Sequence, residues 1–281
     1  MMFTLPQPSD GFEWVQLPPG PALVCTQIRC ARHFFTTRDW RLGASSTAFD
    51  DAAAWRQVAD SMNVASGQLA RVRQVHGASV AVHRTGAASH STLRPEADIV
   101  ISENPDVAVA VQTADCVPIL IQGLGVVAAV HAGWRGLAAR VPAVAVERIV
   151  GDFGQRADDL IVAIGPAIGP CCYEVGQDVR SRFEDASFTR QQVGRWFSAH
   201  PSDLIVNPSM PSLSPVRRSD RFFFDASLSA YDQLRSAGVG GARIFVSGLC
   251  TASHPRVFCS YRRDGAPAGR MAAAVRWRPP D

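Results

Sequence analysis

Apolar and polar positions along the chain alternate between short apolar runs and a few longer segments with helical periodicity. Alternating or continuous apolar runs of four to eight residues are typical of strands, and they recur from residue 25 to residue 263. The predicted strands are residues 25–37, 69–77, 78–84, 97–102, 107–116, 117–122, 126–133, 159–166, 242–248 and 257–263, with one more strand in the Pro- and Gly-rich residues 1–24.

Four segments have the periodicity of amphipathic helices. They are residues 50–63, 137–153, 176–184 and 224–239, with Pro142 as a start or a kink in the second. Residues 85–97 form a polar loop, and residues 187–219 are weakly patterned. The sequence has no internal repeat and no long linker, so it predicts one mixed α/β domain over residues 1–281.

One predicted hairpin brings a thiol and an imidazole together. Residues 116–122 and 126–133 flank Gly123 and Leu124, and glycine at the first central position suits a type II′ turn. In that register Cys116 lies directly opposite His131, with Cβ atoms about 4.5–5.5 Å apart.

Cysteine beside histidine supports two chemistries, and packing alone is the third interpretation. The pair could be a thiolate–imidazolium nucleophile, two ligands of a zinc ion, or a buried thiol near a hydrogen-bonded ring. His76, in RQVHG (73–77), would complete a set of three ligands with an open fourth position, as in catalytic zinc sites. Asp115 precedes Cys116, and Arg135 lies where a helix is predicted to begin, a position that attracts anions.

The composition excludes several enzyme classes. All 28 basic residues are arginine, so Schiff-base and P-loop mechanisms, which need lysine, are excluded. An anion must be bound by arginine or by backbone N–H groups. The net charge is only +3, with no basic run, which argues against nucleic acid as a partner.

Cysteine usage and the N-terminal residues predict the location. There is no secretory signal pattern and no uninterrupted membrane-spanning run, and the seven cysteines are an odd number. We therefore expect a cytoplasmic protein with reduced thiols and no membrane partner. The pair Cys171-Cys172 lacks C-x-x-C spacing, which argues against a structural metal site there.

Five motifs in fixed order carry a family resemblance. RQVHG (73–77), TADCVPIL (113–120), VAAVHAGWRGLA (127–138), IGPAIGPCCYEVG (164–176) and SYRRDG with GRMAA (260–273) resemble the YfiH-like laccase-domain family, once labelled multicopper polyphenol oxidases. The resemblance covers residues 71–274. It implies an α+β fold, a mixed α/β sandwich related to cytotoxic-necrotizing-factor-type cysteine hydrolases.

The resemblance also implies a site and an activity. It implies zinc bound by His76, Cys116 and His131, with copper as the other candidate metal. It further implies phosphorolysis of adenosine, inosine and 5′-methylthioadenosine and deamination of adenosine, by a monomer or a small homo-oligomer. The chain has seven histidines and no His-x-His pair, which argues against a multicopper cluster.

Roles within that site follow as hypotheses. Arg38 and Arg135 are the predicted phosphate ligands, although Arg135 could equally support its loop through an ion pair. Asp115 either carries a proton or orients a ligand. Two other functions stay open, a metal-free hydrolase or deamidase with Cys116 as nucleophile and His131 as base, and a non-catalytic cell-envelope accessory factor.

Overall fold

Two six-stranded β-sheets packed face to face form the frame of the molecule. The computed structural model describes residues 4–43, 52–86, 94–186, 188–201 and 220–278. Within these ranges the strands are β1 (Phe12–Leu17), β2 (Gly20–Cys25), β3 (Ala31–Thr36), β4 (Leu69–Arg71), β5 (Val80–His83), β6 (Ile99–Ser102), β7 (Ala108–Thr113), β8 (Val117–Gln122), β9 (Val127–Ala132), β10 (Ile161–Ile164), β11 (Glu174–Gly176), β12 (Phe197–Ser198), β13 (Arg221–Phe224), β14 (Ile244–Val246) and β15 (Met271–Trp277).

Helices cover the outer faces of both sheets. They are α1 (Ala52–Ser61), α2 (Trp134–Ala138), α3 (Val141–Phe153), α4 (Gln177–Asp185), α5 (Arg190–Trp196), α6 (Ala226–Ser236) and α7 (Tyr261–Asp264). The first sheet has the order β1-β2-β3-β15-β7-β4 and the second the order β14-β10-β8-β9-β6-β5, while β11, β13 and β12 form a small third sheet. The predicted mixed α/β architecture is confirmed.

Side chains along β8 point alternately to the two faces of its sheet, and both faces are buried. Leu120 points between the two sheets, where it packs with residues of the first sheet such as Phe35 and Val111. Ile119 and Ile121 point to the opposite face and pack under α3 and α6. Because both faces of this strand are buried, it appears in the sequence as a continuous apolar run. The outer face of the first sheet is covered by α1, through Trp55 and Val58.

The hairpin that joins β8 to β9 differs from the predicted register. Pro118 pairs with His131 and Gln122 with Val127, so the prediction that Cys116 lies directly opposite His131 is wrong. The turn is centred on Leu124 and Gly125, and the positive φ of +74° falls on Gly125. Gln155 stabilises this turn, because its Oε1 accepts a hydrogen bond from the Leu124 N–H at 2.9 Å.

Although the predicted register is wrong, it places Cys116 and His131 on the same face of the sheet, as the structure does. Paired residue numbers in this hairpin sum to 249 rather than to the predicted 247. A shift of two leaves the parity unchanged, so Cys116 and His131 become diagonal neighbours on one face.

Other differences lie near the C-terminus and in the connections. Residues 257–263 do not form the predicted strand, because the Ser260 hydroxyl accepts a hydrogen bond from the Arg263 N–H and caps α7. The predicted helix over 137–153 is two helices separated by Arg140, which has a φ of +61°, and Pro142 lies in the first turn of the second. Strand β15, in the middle of the first sheet, was not predicted.

Part of the weakly patterned stretch, residues 187–219, lies outside the residues that the structure describes. Helix α5 and strand β12 occupy residues 190–198, whereas residues 202–219 and most of the predicted loop 85–97 lie outside the described residues. Among the described helices, none combines the length and apolar character that a membrane crossing requires.

A substitution at Gly165 tests the packing between the sheets. A Cβ atom there would lie 2.3 Å from ring atoms of Phe35, so Gly165→Ala should lower the free energy of unfolding by about 1–3 kcal/mol. Gly151→Ala is the matched control, because no atom lies within 4 Å of its Cβ position on α3, and it should raise that free energy by about 0.5–1 kcal/mol. Equal urea midpoints for the two variants would contradict the packing described.

Candidate functional site

His76, Cys116 and His131 converge at one end of the two sheets. Their potential ligand atoms all lie within 4.8 Å of one another. The Cys116 Sγ atom is 4.0 Å from Nε2 of His76, and the two imidazole rings are nearly perpendicular, with centroids 4.8 Å apart. The structure therefore brings together the three residues that the sequence singled out.

Separate elements supply the three side chains. Cys116 directly precedes β8 and His131 lies in β9. His76 follows β4, and its segment is attached to β7 because the Gln74 side chain both accepts from the Gln112 N–H and donates to the Gln112 carbonyl. Gly133 permits the approach, because a Cβ atom there would lie 2.8 Å from the His76 ring and 3.1 Å from the Cys116 sulfur.

A buried carboxylate organises this cluster. Asp98 has no solvent exposure, and its Oδ1 accepts hydrogen bonds from Nδ1 of His131 at 2.7 Å and from the His76 N–H at 3.1 Å. Its Oδ2 accepts from the N–H groups of Gly77 at 2.7 Å and Val75 at 3.2 Å. Asp98 thus orients one ring directly and holds the backbone turn that carries the other.

Sequence reasoning missed Asp98, although a signal existed. It is the single charged residue in the apolar strand segment ADIVIS (97–102). A carboxylate inside such a run must be paired or hydrogen-bonded when it is buried, and histidines that bind metals usually donate their second N–H to such a group.

Cys116 and His131 each stabilise the charged form of the other. Burial disfavours ionisation of the Cys116 thiol, but the charge of His131 and hydrogen bonds from both histidines outweigh it and lower the pKa of Cys116. Burial also opposes protonation of His131, yet Cys116 and Asp98 together raise the pKa of His131. The thiol is therefore readily deprotonated, as both a nucleophile and a metal ligand must be.

The three residues line a cavity of about 670 Å³. A cavity of this size suits a small organic ligand. Its other lining residues are Val72, Arg73, Gln74, Arg94, Gln112, Thr113, Ala114, Asp115, Trp134, Arg135, Ile168, Tyr173, Tyr261, Arg262 and Arg270.

The two arginines predicted as phosphate ligands lie in different places. Arg135 lines the cavity, and its guanidinium stacks on the Trp134 ring at 4.4 Å. In the described part of the chain it makes no ion pair. Arg38 does not line this cavity among the described residues, and its side chain donates instead to the Pro255 carbonyl.

Asp115 connects the ligand loop to a distant segment. Its buried carboxylate accepts hydrogen bonds of 2.6 Å from the Thr251 hydroxyl and from the Arg262 N–H, and burial raises its pKa. Asp115 has a φ of +89° and His76 a φ of +60°. Such conformations cost energy and are typical of functional sites.

Arg262 and Arg263 both donate hydrogen bonds to backbone carbonyls. The Arg263 guanidinium donates to the carbonyls of Thr251, Ala252 and Phe258. Arg262 donates to the Glu174 carbonyl at 2.6 Å, although it also lines the cavity.

A family profile described as "Multi-copper polyphenol oxidoreductase laccase" matches residues 33–278. The chain belongs to this family. A relative from Deinococcus radiodurans named purine nucleoside phosphorylase is 32% identical over 92% of this chain and 93% of its own length. Purine nucleoside phosphorylase PA4543 from Pseudomonas aeruginosa is 36% identical over 72% of this chain and 71% of its own.

Solved structures in the family share the fold. YlmD from Geobacillus stearothermophilus has a TM-score of 0.73 at 27% identity, covering 95% of this chain and 99% of that one. The hypothetical protein YfiH from Bacillus licheniformis has a TM-score of 0.80 at 23% identity, covering 96% and 100%. The relation to cytotoxic-necrotizing-factor-type hydrolases stays a prediction.

The donor set of the cluster fits one transition-metal ion. One thiolate and two imidazoles suit zinc or copper. The hydrogen bond from Nδ1 of His131 to Asp98 leaves Nε2 as the coordinating atom. All three residues line the cavity and would hold such an ion in its wall.

Replacing Asp98 tests its role in positioning the ligands. Asp98→Asn keeps the shape but removes the charge, and its NH₂ group cannot accept the hydrogen bonds that one carboxylate oxygen accepts. Zinc affinity should fall by about 10–100-fold in chelator competition. Asp106→Asn, at an exposed position, is the control and should keep wild-type affinity. Equal affinities for the two variants would show that Asp98 does not orient the ligands.

Proposed function

We propose that the chain is a zinc-dependent purine nucleoside phosphorylase. It would cleave adenosine, inosine and 5′-methylthioadenosine with phosphate to the free base and ribose 1-phosphate or its thio analogue. The observation that carries the proposal is a three-ligand Cys/His centre in the wall of a cavity that also contains Arg135 and aromatic rings. The names of the relatives from D. radiodurans and P. aeruginosa support the same activity.

Arg135 is the proposed phosphate ligand. Other cavity arginines have acceptors within the protein, since Arg73 pairs with Glu96 and Arg270 donates to the carbonyls of Ala268 and Gly269. The Arg135 side chain makes no ion pair or hydrogen bond in the described ranges, so its planar set of donors is available for a phosphate. Arg38 is left out of the proposal because it does not line the cavity there.

Aromatic side chains would bind the purine. Trp134, Tyr173 and Tyr261 line the cavity, and Tyr261 is 55% exposed at its surface. A flat purine ring can stack on such side chains, and the burial of their aromatic surface would contribute to the free energy of binding.

Phosphorolysis requires attack by phosphate, departure of the base and protonation of that base, and residues of the site would serve some of these steps. A phosphate oxygen attacks C1′, the C1′–N9 bond breaks, and its electron pair departs with the base, which then takes up a proton. Bound zinc would supply a Lewis acid that polarises an oxygen ligand. Asp98 keeps His131 oriented, and Arg135 would neutralise the attacking phosphate. Both oxygens of Asp115 already accept hydrogen bonds, which supports a positioning role over a proton carrier.

Deamination of adenosine is the proposed second reaction of this site. There a water oxygen adds at C6, ammonia leaves, and inosine remains. We further expect zinc rather than copper, a cytoplasmic location, and a monomer or a small homo-oligomer.

A thiol hydrolase is the second candidate, and one observation favours it. The lowered pKa of Cys116 beside a protonated His131 is also the arrangement of a nucleophilic cysteine. In that case the Cys116 thiolate would attack an acyl or amide carbon, the bond to the leaving alcohol or amine would break as that group takes up a proton, and water would then hydrolyse the thioester. Such an enzyme needs no metal.

Phosphate dependence of nucleoside cleavage tests the proposal. Purified protein should release hypoxanthine from inosine only when phosphate is present, with an equal amount of ribose 1-phosphate. Cys116→Ala removes one of three ligands and should abolish both products, measured by liquid chromatography. Cys30→Ala, an exposed cysteine, is the control and should keep full activity.

Chelation separates the two candidates. The phosphorylase should lose activity after treatment with a chelator and regain it with zinc. A thiol hydrolase would survive chelation and be inactivated by alkylation. Base released without phosphate, or full activity in Cys116→Ala, would refute the phosphorylase.

Arg135→Lys tests the phosphate contact. Lysine keeps the charge but loses the bidentate geometry. A charged hydrogen bond contributes about 1.5–3 kcal/mol, so the KM for phosphate should rise about 10–100-fold, with little change in the KM for inosine. Arg156→Lys, an exposed residue paired with Asp158, is the control. An unchanged phosphate KM in Arg135→Lys would remove Arg135 from the site.

A further inference from the structure

Three other cysteines form a second cluster in the interior. The sulfur atoms of Cys171, Cys172 and Cys250 lie within 4.8 Å of one another, and the residues are 1%, 1% and 5% exposed. We call them the trithiol cluster. It shares no residue with the His76, Cys116 and His131 centre, and the proposed phosphorolysis does not use it.

The fold brings these thiols together from two distant segments. Ala167 forms a β-bridge with Cys250, so the loop after β10 runs beside the segment after β14. The Gly169 N–H donates to the Cys250 sulfur at 3.3 Å. A Cβ atom at Gly169 would lie 3.4 Å from both the Cys171 sulfur and the Cys250 Cβ. The short Gly-Pro-Cys-Cys loop therefore holds the sulfur atoms close.

The surroundings of the trithiol cluster are apolar with few polar atoms. Ile168 and Ala252 complete its core. The Ser253 hydroxyl contacts the sulfurs of Cys171 and Cys172 at 3.5 and 3.3 Å. Cys171 and Cys250 also line a cavity of about 130 Å³, which is large enough for an ion to reach them.

A second polar group faces this small cavity. Ser247 lines it, is 1% exposed, and its hydroxyl has no hydrogen-bond partner in the part of the chain that is described. A buried hydroxyl without a partner is costly and calls for an explanation. It could hydrogen-bond a water that enters the cavity with an ion.

We propose that the trithiol cluster binds one thiophilic d10 metal ion, and that this ion is Cu⁺ rather than Zn²⁺. Three sulfur ligands without imidazole or carboxylate select soft ions. Three ligands are sufficient for Cu⁺, whereas structural zinc needs four, and the Ser253 hydroxyl is a poor fourth ligand.

Metal binding at the trithiol cluster is coupled to the loss of thiol protons. Binding one Cu⁺ transfers no electron, and each thiol that becomes a ligand releases its proton to solvent. Hydrogen bonds with Cys172 and Cys250, and then burial, raise the pKa of Cys171, so this thiol keeps its proton until a metal displaces it.

Anaerobic titration with Cu⁺ tests the proposal independently of the phosphorylase. A His76→Ala/Cys116→Ala variant removes the other metal centre. It should still bind one Cu⁺ in competition with bathocuproine disulfonate, and X-ray absorption should show a shell of sulfur alone. Adding Cys250→Ser or Cys172→Ser should remove this copper. Adding Cys25→Ser, a buried thiol in β2, should not.

Three results would overturn the inference. They are failure of the His76→Ala/Cys116→Ala variant to bind Cu⁺, a copper shell that contains nitrogen, or binding of Zn²⁺ in preference to Cu⁺. The copper shell is measured with the trithiol cluster intact, so poor folding of a cysteine variant does not affect it. Circular dichroism of each variant checks that it is folded.

Discussion

The hydrogen bonds accepted by the buried Asp98 carboxylate are the interaction on which the candidate site depends. An unpaired carboxylate in the interior would be very costly. Here three backbone N–H groups and the His131 ring donate to its two oxygens. The same carboxylate stabilises a protonated His131 without a metal. When a metal is bound it would instead fix which ring nitrogen coordinates.

The two-sheet frame makes this arrangement possible by bringing distant chain segments to one edge. Asp98 directly precedes β6, and β6 pairs with β9, the strand that carries His131. The segment after β4 is attached to β7 through Gln74. On the other side, Asp115 connects the Cys116 loop to α7 through the Arg262 N–H. The positive φ angles of His76 and Asp115 are maintained by these contacts, and this is how folded proteins retain strain at sites.

Local pattern was sufficient for most strands and helices but not for contacts made at long range. The apolar runs of β6 to β10 and the periodicity of α3 and α6 are local signals, and their predictions are confirmed. The turn residues alone did not predict the hairpin register, and in the structure a side chain outside the hairpin, Gln155, hydrogen-bonds the turn. Only the face shared by Cys116 and His131 could be predicted. Strand β15 is rich in alanine, and its burial in the middle of a sheet comes from tertiary packing.

The candidate site also combines residues that local sequence patterns identify with a residue whose role comes from long-range contacts. His76, Cys116 and His131 could be found from motif and parity, whereas Asp98 acts through partners at least 21 residues away. Arg38 and Arg135 looked equivalent in a chain without lysine, yet only Arg135 lines the cavity in the described part. Because the chain has no lysine, the cations that line this cavity are arginines, and there are five of them among its lining residues.

The proposed phosphorolysis requires one metal ion at the His76, Cys116 and His131 centre. The most direct test is to add zinc to metal-stripped protein while following ribose 1-phosphate formation from inosine and phosphate. The rate should rise in proportion to added zinc and saturate at one ion per chain. A rate that is already maximal before zinc is added, or one that zinc never restores, would contradict it.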